Sequence, residues 1–377
     1  MMNPDSLSTE DAMLLLNSLR KVGPVSSNRL IDFFDGDPVK IFQASEKKLL
    51  EVKGIGNTII NSIRNKSNFD WIQKERINLK KYSTNFISQA NLPPSLNEIF
   101  DTPVGLYVKG SIPPGPYISI VGTRLPSHYA KKICTKISTE LAKAGFCIVS
   151  GMARGIDSIA HESALDSNGK TIAFLGCGMD IIYPPENLHL YNRITEKGAV
   201  ITEFPFGRRA DRSTFPMRNR LVSGFSSAVV VVESGSTGGS LITARFAAEQ
   251  GRQVFAIPGR VDQSSSLGCH QLIRDGATLA GSAREIIEDL NPSLEQAQFH
   301  FSTQDQADDI KSANASRDSF SEIEKKIIEV LEKESASSFE DLTHELEQSS
   351  QEVSVSLSML ELNGWLVKRR DGKYELN

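Results

Sequence analysis

The sequence predicts an α/β protein whose central domain is a doubly wound, mostly parallel sheet. Three observations support this prediction. Short runs of β-branched and other apolar residues recur between about residues 100 and 290. Most of these runs are apolar throughout instead of alternating, as in strands that are buried on both faces. Segments of helical length separate them, which is what a crossover between parallel strands requires.

Six runs are expected to form the strands of this sheet. In chain order they are 117–121, 146–149, 171–175, 200–202, 228–232 and 254–257. Ligands of such a sheet bind outside the carboxyl ends of the strands, in the loops that lead into helices. These loops therefore contain the first candidate site residues.

Two further domains and a linker are predicted around a central domain that spans 86–290. Residues 1–85 are predicted to form a helical domain of the SAM or helix-hairpin-helix type, with a glycine turn at 52–56. The N–H groups of such a turn can hold a DNA phosphate, although a tight turn between packed helices explains the same residues slightly better. Residues 291–319 are rich in Gln, Asp, Ser and Asn and are expected to be a flexible linker.

Residues 320–377 have the pattern of a winged-helix domain. Three helical segments precede two short strands joined at Asp371 and Gly372, a favoured hairpin turn. The third helical segment, 350–363, contains no Lys or Arg and includes Glu352 and Glu361. Because such a helix would approach phosphates poorly, we expect this domain to contact protein or to play an accessory role instead of reading duplex DNA.

The composition favours a cytoplasmic protein without disulfides or structural metal. The chain has 377 residues and a formal net charge of -4, so a nucleic-acid site requires a local concentration of basic residues. Its four cysteines form no C-x-x-C pair, which fits a reducing compartment and argues against a metal site. Neither a signal peptide nor an apolar run long enough to cross a membrane is expected.

Four loops after predicted strands are rich in Gly, Ser and Arg. They contain Gly122-Thr123-Arg124, the segment 150–157 with Arg154, the segment 176–180, and the segment 233–240 with Gly238-Gly239-Ser240. Glycines let the backbone approach a ligand, and free N–H groups at a helix N-terminus attract anions. Glycine also serves ordinary tight turns, but four such loops on one edge of the sheet favour an anionic ligand.

The sequence lacks common cofactor motifs and a recognisable catalytic arrangement. It contains no G-x-x-x-x-G-K-[ST] motif, and Gly176-x-Gly178 lacks the third glycine of a dinucleotide fingerprint. His161, Glu162 and Asp157 lie close together in the chain, but Asp157 is equally a helix cap, and His161 is better explained as a packed side chain. We therefore expect no cofactor, no metal and no enzymatic activity.

The densest basic segment, 207–220, contains five arginines and one aspartate in a chain that is acidic overall. Phe204, Phe206 and Phe215 accompany these arginines. Guanidinium groups match phosphate oxygens, and aromatic faces stack bases at about 1–3 kcal/mol each. A solvated basic loop with core phenylalanines is the alternative, but interleaved basic and aromatic residues favour a groove for single-stranded nucleic acid.

Taken in order, these segments resemble the DNA-processing protein A family (DprA, also called Smf). The matching strings cover essentially the whole central domain: 121–124 (VGTR), 150–157 (SGMARGID), 161–165 (HESAL), 178–180 with Tyr183, Pro184 and Asn187, 215–220 (FPMRNR), 239–244 (GSLITA), 255–259 (FAIPG) and 268–277 (GCHQLIRDGA). The resemblance implies a Rossmann-like central domain and sequence-independent binding of single-stranded DNA. It also implies interaction with the recombinase RecA, whose loading it would assist in natural transformation and recombination, and a homodimer formed through the Rossmann-like domain.

The resemblance makes Arg124 the first candidate for a phosphate contact, followed by Arg218 and Arg220. The predicted set of residues that bind single-stranded DNA is Gly122, Thr123, Arg124, Arg154, Arg218, Asn219, Arg220, Gly238, Gly239 and Ser240. The secondary candidates are Arg208, Arg209, Arg212 and Phe215. Two positions depart from the family pattern. The usual Gly-Ser-Arg loop has Thr123 here, which keeps the hydroxyl, and Pro185 stands where some members carry a basic residue implicated in DNA binding.

Two other functions compete with DNA binding. The central domain is also similar, more distantly, to cytokinin-activating phosphoribohydrolases, whose Pro-Gly-Gly-x-Gly-Thr-x-x-Glu motif supplies a carboxylate that stabilises a cationic sugar transition state. Thr243 stands roughly where that carboxylate is expected, which argues against this reaction. The other alternative is a sensor of a nucleotide-derived signal that is coupled to the winged-helix domain. Saturable binding of a small nucleotide without DNA binding would favour it.

Overall fold

The computed structural model describes residues 7–19, 21–65, 67–290, 320–334, 336–346, 348–362, 365–369 and 371–376. The chain forms two compact units, Met1–Pro292 and Ser293–Asn377. The predicted linker, 291–319, lies outside the described residues. Within those residues, the helices are all too short or too polar to span a lipid bilayer.

Helices of the first unit form an N-terminal group and then alternate with strands. In chain order they are Thr9–Ser18 (α1), Pro24–Phe33 (α2), Pro38–Gln43 (α3), Glu46–Leu50 (α4), Asn57–Ile63 (α5), Ser67–Lys81 (α6), Pro94–Asn97 (α7), His128–Lys143 (α8), Ile156–Asp166 (α9), Leu188–Lys197 (α10), Thr214–Phe225 (α11), Gly239–Glu249 (α12), Leu267–Arg274 (α13) and Ala283–Leu290 (α14). Short 3-10 turns lie at Gln89–Asn91, Pro185–Asn187 and Ser264–Ser266.

One sheet organises the first unit. Its strands are Asn85–Ser88 (β1), Gly105–Gly110 (β2), Tyr117–Val121 (β3), Cys147–Ser150 (β4), Thr171–Phe174 (β5), Ala199–Thr202 (β6), Ala228–Val231 (β7), Gln253–Ala256 (β8) and Thr278–Leu279 (β9). Their spatial order is β1-β2-β6-β5-β4-β3-β7-β8-β9. β2 pairs antiparallel with β1 and β6, whereas all neighbouring pairs from β6 to β9 are parallel. The prediction of an α/β fold with a mostly parallel sheet is confirmed.

The chain reverses its direction of winding next to β3. From β3 it adds β4, β5 and β6 on one side, and it then returns to place β7 on the other side. Ile118 of β3 pairs with Ile148 of β4 and with Ala228 of β7. The carboxyl ends of β3 and β7 therefore flank the crevice in which a doubly wound sheet binds its ligands.

The six predicted runs all form strands, whereas β1, β2 and β9 lack a clear signal in the sequence. β1 and β9 lie at the two edges of the sheet and contain four and two residues, with side chains that are exposed or half-buried. β2 is mostly buried, but glycines stand at both of its ends and Lys109 interrupts its apolar run. Such strands owe their conformation to the neighbouring strand more than to their own residue pattern.

The N-terminal helices share a hydrophobic cluster with part of the sheet. Leu15 of α1 and Leu30 of α2 belong to the same cluster of buried residues as Tyr107 of β2 and Met179, which follows β5. The predicted domain boundary near residue 85 stays a prediction, as does the SAM or helix-hairpin-helix type of this region.

Glu75 of α6 is a buried carboxyl group that predicts a pH dependence of stability. Its Oε1 accepts hydrogen bonds from the Tyr107 hydroxyl (2.7 Å) and from Phe206 N (3.1 Å). Burial raises the pKa of Glu75 above its ordinary value of 4.5. The folded state therefore binds this proton more tightly than the unfolded chain, so the free energy of unfolding falls as the pH rises from 4.5 through the raised pKa.

We expect Glu75→Gln to remove this contribution. The measurement is the free energy of unfolding in urea at a series of pH values between about 4.5 and 7.5. The decrease with pH should be smaller in the variant than in the wild type, and Glu196→Gln, a change at an exposed position, should leave it unaltered. A variant with the wild-type pH profile would contradict the prediction.

The four cysteines are free and buried, and we expect their thiols to be inert in the folded protein. Burial raises the pKa of Cys134, Cys147 and Cys269 to about 12 and the pKa of Cys177 to about 11. Because the thiolate is the reactive form, titration with an aromatic disulfide at about pH 8 should detect almost no thiol before unfolding. All four should react in guanidinium chloride. Rapid reaction of any thiol in the native protein would contradict this expectation.

The second unit consists, over its described residues, of helices followed by a strand pair. Its elements are Glu322–Glu334 (α15), Phe339–Leu346 (α16), Ser350–Leu362 (α17), Leu366–Lys368 (β10) and Tyr374–Leu376 (β11). β10 and β11 are antiparallel. Leu342, Val353 and Leu360 belong to the core of this unit, and α17 exposes Val355 (59%) and Met359 (47%).

Candidate nucleic-acid interface

Close backbone packing joins the loops that follow β3 and β7. Thr123 N donates a hydrogen bond to Glu233 O at 2.8 Å. A Cβ on Gly122 would lie 2.6 Å from Ile156 Cγ1 and 3.0 Å from Glu233 O, so a larger residue does not fit there. Gly122 and Thr123 thus hold the loop after β3 against the loop after β7, immediately before Arg124.

An open depression lies at this edge of the sheet. The loops after β3, β4 and β5 surround it together with the first turns of α11. The lining residues are Arg124, Gly151, Ala153, Arg154, Gly176, Cys177, Tyr183, Pro184, Phe215 and Arg218. The structure therefore brings three of the predicted arginines and one predicted phenylalanine to a single concave surface.

Arg124 and two aromatic rings form one side of the depression. Arg124 is exposed, and its guanidinium carbon lies 5.2 Å from the centroid of the Phe215 ring, which is a cation–π geometry. The centroid of the Tyr183 ring lies 5.8 Å from that of Phe215, and Tyr183 is 39% exposed. Over the described part of the chain, Arg124 forms no ion pair with a carboxylate, so its charge is available to a ligand.

Arg218 is buried and forms the floor of the depression. This corrects the expectation that its side chain is accessible to a phosphate. Its Nη1 donates to Gly151 O and, at 2.9 Å, to Phe174 O. Gly151 leaves room for this guanidinium, because a Cβ on Gly151 would lie 1.6 Å from Arg218 Nη1. Arg218 is thus engaged by backbone carbonyl groups and joins the loops after β4 and β5.

Asp157 and His161, both buried, hold the loop that follows β4. Asp157 Oδ2 accepts hydrogen bonds from Gly151 N (3.2 Å) and Ala153 N (3.3 Å). The positive charge of Arg218 favours the charged form of this carboxyl group. His161 Nε2 accepts from Met152 N at 3.3 Å. Burial, with a smaller effect of the Arg218 charge, lowers the pKa of His161 to about 3, so the imidazole is neutral at physiological pH. Both residues therefore fix the loop from within.

Arg220 does not reach the depression, which corrects its prediction as a surface contact. It is buried and forms ion pairs with Glu203 and, at 3.1 Å, with Asp101. Asn17 of α1 donates to the backbone oxygen of Glu203 at 2.8 Å. Arg220 therefore helps to anchor α11 against β6 and the N-terminal region. The sequence alone does not reveal this, because its acidic partners are remote in the chain.

The predicted glycines of the last loop lie at the start of α12. Gly238 is the N-cap residue, and a Cβ there would lie 2.1 Å from Ser234 Oγ, whereas Gly239 faces open space. Ser240 is buried and donates to Ser234 Oγ at 2.9 Å. Asn219 of α11 reaches Gly239 O at 3.5 Å. Ser240 thus stabilises its own loop, and Gly239 leaves the helix N-terminus uncovered.

The three arginines predicted as secondary DNA contacts, Arg208, Arg209 and Arg212, lie outside the depression. Arg208 pairs with Asp211 at 2.6 Å, whereas Arg209 and Arg212 are exposed and form no ion pair within the described ranges. Phe206 stacks on Tyr82 with a centroid separation of 5.2 Å.

Two of the three phenylalanines named as stacking candidates face the interior. Phe204 is buried, and Phe206 packs in the ring contact with Tyr82. This corrects the expectation that both rings are available to bases. Phe215, in the first turn of α11, is half-buried and lines the depression.

Arg154 carries a partner that the sequence-based prediction did not include. Its Nε forms an ion pair with Glu186 Oε1, and the two side chains are 52% and 50% exposed.

Tyr183 lines the depression but is absent from the set of site residues predicted from the sequence. Its signal is its place after the third glycine-rich loop, but a lone aromatic residue in a loop says little until its neighbours are known.

Comparison with known proteins identifies relatives over most of this region. The family model described as DNA recombination-mediator protein A matches residues 83–291, which is more than half of the chain. Protein Smf of Synechocystis sp. is 37% identical over 297 residues, covering 76% of this chain and 74% of that protein. The DNA processing protein DprA of Bacillus subtilis is 40% identical over 207 residues, which cover 54% of this chain and 70% of that protein.

Two solved structures resemble the fold. DNA processing protein A of Streptococcus pneumoniae superposes with a TM-score of 0.58 at 30% identity, covering 76% of this chain and 98% of that one. DNA processing protein A of Helicobacter pylori, described with a single-stranded DNA binding mode, gives a TM-score of 0.50 at 31% identity and covers 55% of this chain and 95% of that one. With the family match, these similarities establish that the chain belongs to the DNA recombination-mediator protein A family, whose members are also named DNA processing protein A and Smf.

Proposed function

We propose that this protein binds single-stranded DNA at the depression without sequence preference. The observation that carries the proposal is the position of Arg124. Its exposed guanidinium has no carboxylate partner among the described residues and lies 5.2 Å from the centroid of the Phe215 ring. A free cation and an aromatic face at one open edge match the phosphate and the base of a nucleotide.

An unpaired strand fits these groups better than a duplex does. A base can stack on Phe215 or Tyr183 only when it is not stacked within a double helix. Every base has an aromatic face, so such stacking tolerates any sequence and contributes about 1–3 kcal/mol per base. The uncovered N-terminus of α12 at Gly239 offers backbone N–H groups to a further phosphate.

The family relationship supports the wider role that we propose. The single-stranded DNA binding mode described for the Helicobacter pylori protein is consistent with the same ligand here. By family resemblance, the bound strand is passed to RecA in the cytoplasm, and RecA loading serves natural transformation and recombination. We further propose that residues 1–85 form a SAM or helix-hairpin-helix domain, and that the second unit is a winged helix that contacts protein.

A homodimer through the Rossmann-like domain is part of the proposal. β9 is an edge strand of two residues, and Leu279 on it is 51% exposed. An exposed edge with an apolar side chain is a surface that another chain can cover. Sedimentation at micromolar concentration should therefore give twice the monomer mass.

The binding proposal is tested by fluorescence anisotropy of labelled oligo-dT and of duplex DNA of equal length across a salt series. We expect preference for the single strand and a salt slope of about -0.7 per neutralised phosphate. No binding at low salt would contradict the proposal and would direct attention to release of free base from a nucleoside monophosphate. Thr243, which stands in place of the carboxylate of phosphoribohydrolases, is buried in α12 and supplies no acid for that reaction.

A further inference from the structure

The arginines that line the depression differ in how their charge is compensated. Arg124 has no carboxylate partner within the described residues, and the buried Arg218 interacts with the charge of Asp157. Arg154 is paired with Glu186 at the surface. One of the three cations is therefore free, one belongs to the interior, and one is exposed but neutralised by a neighbouring carboxylate.

Arg154 is close enough to Arg124 to serve the same strand. Arg154 precedes Gly155, and a Cβ on Gly155 would lie 2.8 Å from the Cα of Arg124 and 2.4 Å from Thr123 O. The backbones of the two loops are thus in contact, and both arginines line the depression. A strand that is held by Arg124 passes within reach of Arg154.

We propose that Arg154 is a second phosphate-binding residue and that Glu186 determines its availability by competing with the phosphate. The inference rests on the proposed binding of single-stranded DNA and adds a specificity-determining residue to that site. Both side chains of the pair are about half exposed (52% and 50%), so a phosphate can reach the guanidinium without opening the fold.

The competition has a definite electrostatic consequence. Arg154 lowers the pKa of Glu186, so the carboxylate is charged at neutral pH. A phosphate that binds Arg154 must displace this carboxylate and remain near its negative charge. An exposed ion pair is weak, so a strand already fixed at Arg124 can displace it, whereas an isolated phosphate gains little by doing so.

The decisive variant is Glu186→Gln, which removes the competing charge while it keeps the size of the side chain. We expect the Kd for oligo-dT at low salt to fall about fivefold. The salt slope should become more negative by about 0.7, because one more phosphate is fully neutralised. A gain in affinity cannot result from misfolding. This variant is therefore more informative than one that is expected to lose affinity.

Two comparisons separate local competition from a general effect of charge. Arg154→Ala combined with Glu186→Gln should cancel the gain in both Kd and slope. Glu288→Gln, which removes an equal charge from the exposed pair with Arg284 on α14, should reproduce neither. A gain that persists without Arg154, or that also occurs in Glu288→Gln, would overturn the proposal.

Failure of this inference can be distinguished from failure of the proposed function. Wild-type protein that binds oligo-dT, together with a Glu186→Gln variant of unchanged or weaker affinity, would overturn the competition and leave the DNA site intact. Absence of binding in the wild type would overturn both.

Discussion

Arg124→Ala is expected to lower the affinity for oligo-dT by about 10- to 100-fold. A hydrogen bond to a charged group contributes about 1.5–3 kcal/mol, and the variant loses the guanidinium that would donate it to a phosphate. Because one phosphate contact disappears, the salt slope should become less negative by about 0.7. Anisotropy titrations across the same salt series measure both quantities.

Two further variants make the result specific to this side chain. Arg124→Lys keeps the charge but loses the planar fork, so it should restore the slope more fully than the affinity. Arg284→Ala removes an exposed arginine of α14 that is paired with Glu288, and it should change neither by more than about twofold. Unchanged binding by Arg124→Ala would remove this residue from the site and with it the main support for the proposed location.

Gly151→Ala is expected to destabilise the fold by about 3–5 kcal/mol. Its new Cβ would lie 1.6 Å from Arg218 Nη1, so the guanidinium must leave its position between Gly151 O and Phe174 O. The buried guanidinium then loses both of these carbonyl partners, and each hydrogen bond of a charged group contributes about 1.5–3 kcal/mol. The displaced loop should also weaken binding of single-stranded DNA, since it lines the depression.

The free energy of unfolding in urea tests this prediction, and a double-mutant cycle tests its cause. In an Arg218→Ala background the clash no longer exists, so Gly151→Ala should cost less than in the wild type. Gly281→Ala is a matched control, because a Cβ there meets Glu285 Oε1 at an ordinary 3.6 Å. Equal costs in both backgrounds would show that Arg218 is not the reason why this position requires glycine.

The parallel core of the sheet could be predicted from the sequence because its signal is local. Ile118, Val149, Ile172 and Val230 stand in runs that are apolar on both faces, and such runs have few other stable environments. The edges were not predictable in the same way. β1 and β9 are too short to show a pattern and adopt an extended conformation because a longer neighbour pairs with them.

The sequence by itself determined the α/β class, the six strands from β3 to β8 and the glycine-rich loops that bring Arg124 to the carboxyl edge of the sheet. Tertiary structure alone decided the environment of each charge. Arg218 and Arg220 lie two residues apart on α11, yet both are buried. Arg218 donates to the carbonyl groups of Gly151 and Phe174, and Arg220 pairs with Glu203 and Asp101, all of which lie on other segments of the chain. The physical reason is that hydrophobic periodicity is a local property, whereas the burial and pairing of a charge depend on which distant residues the fold brings beside it.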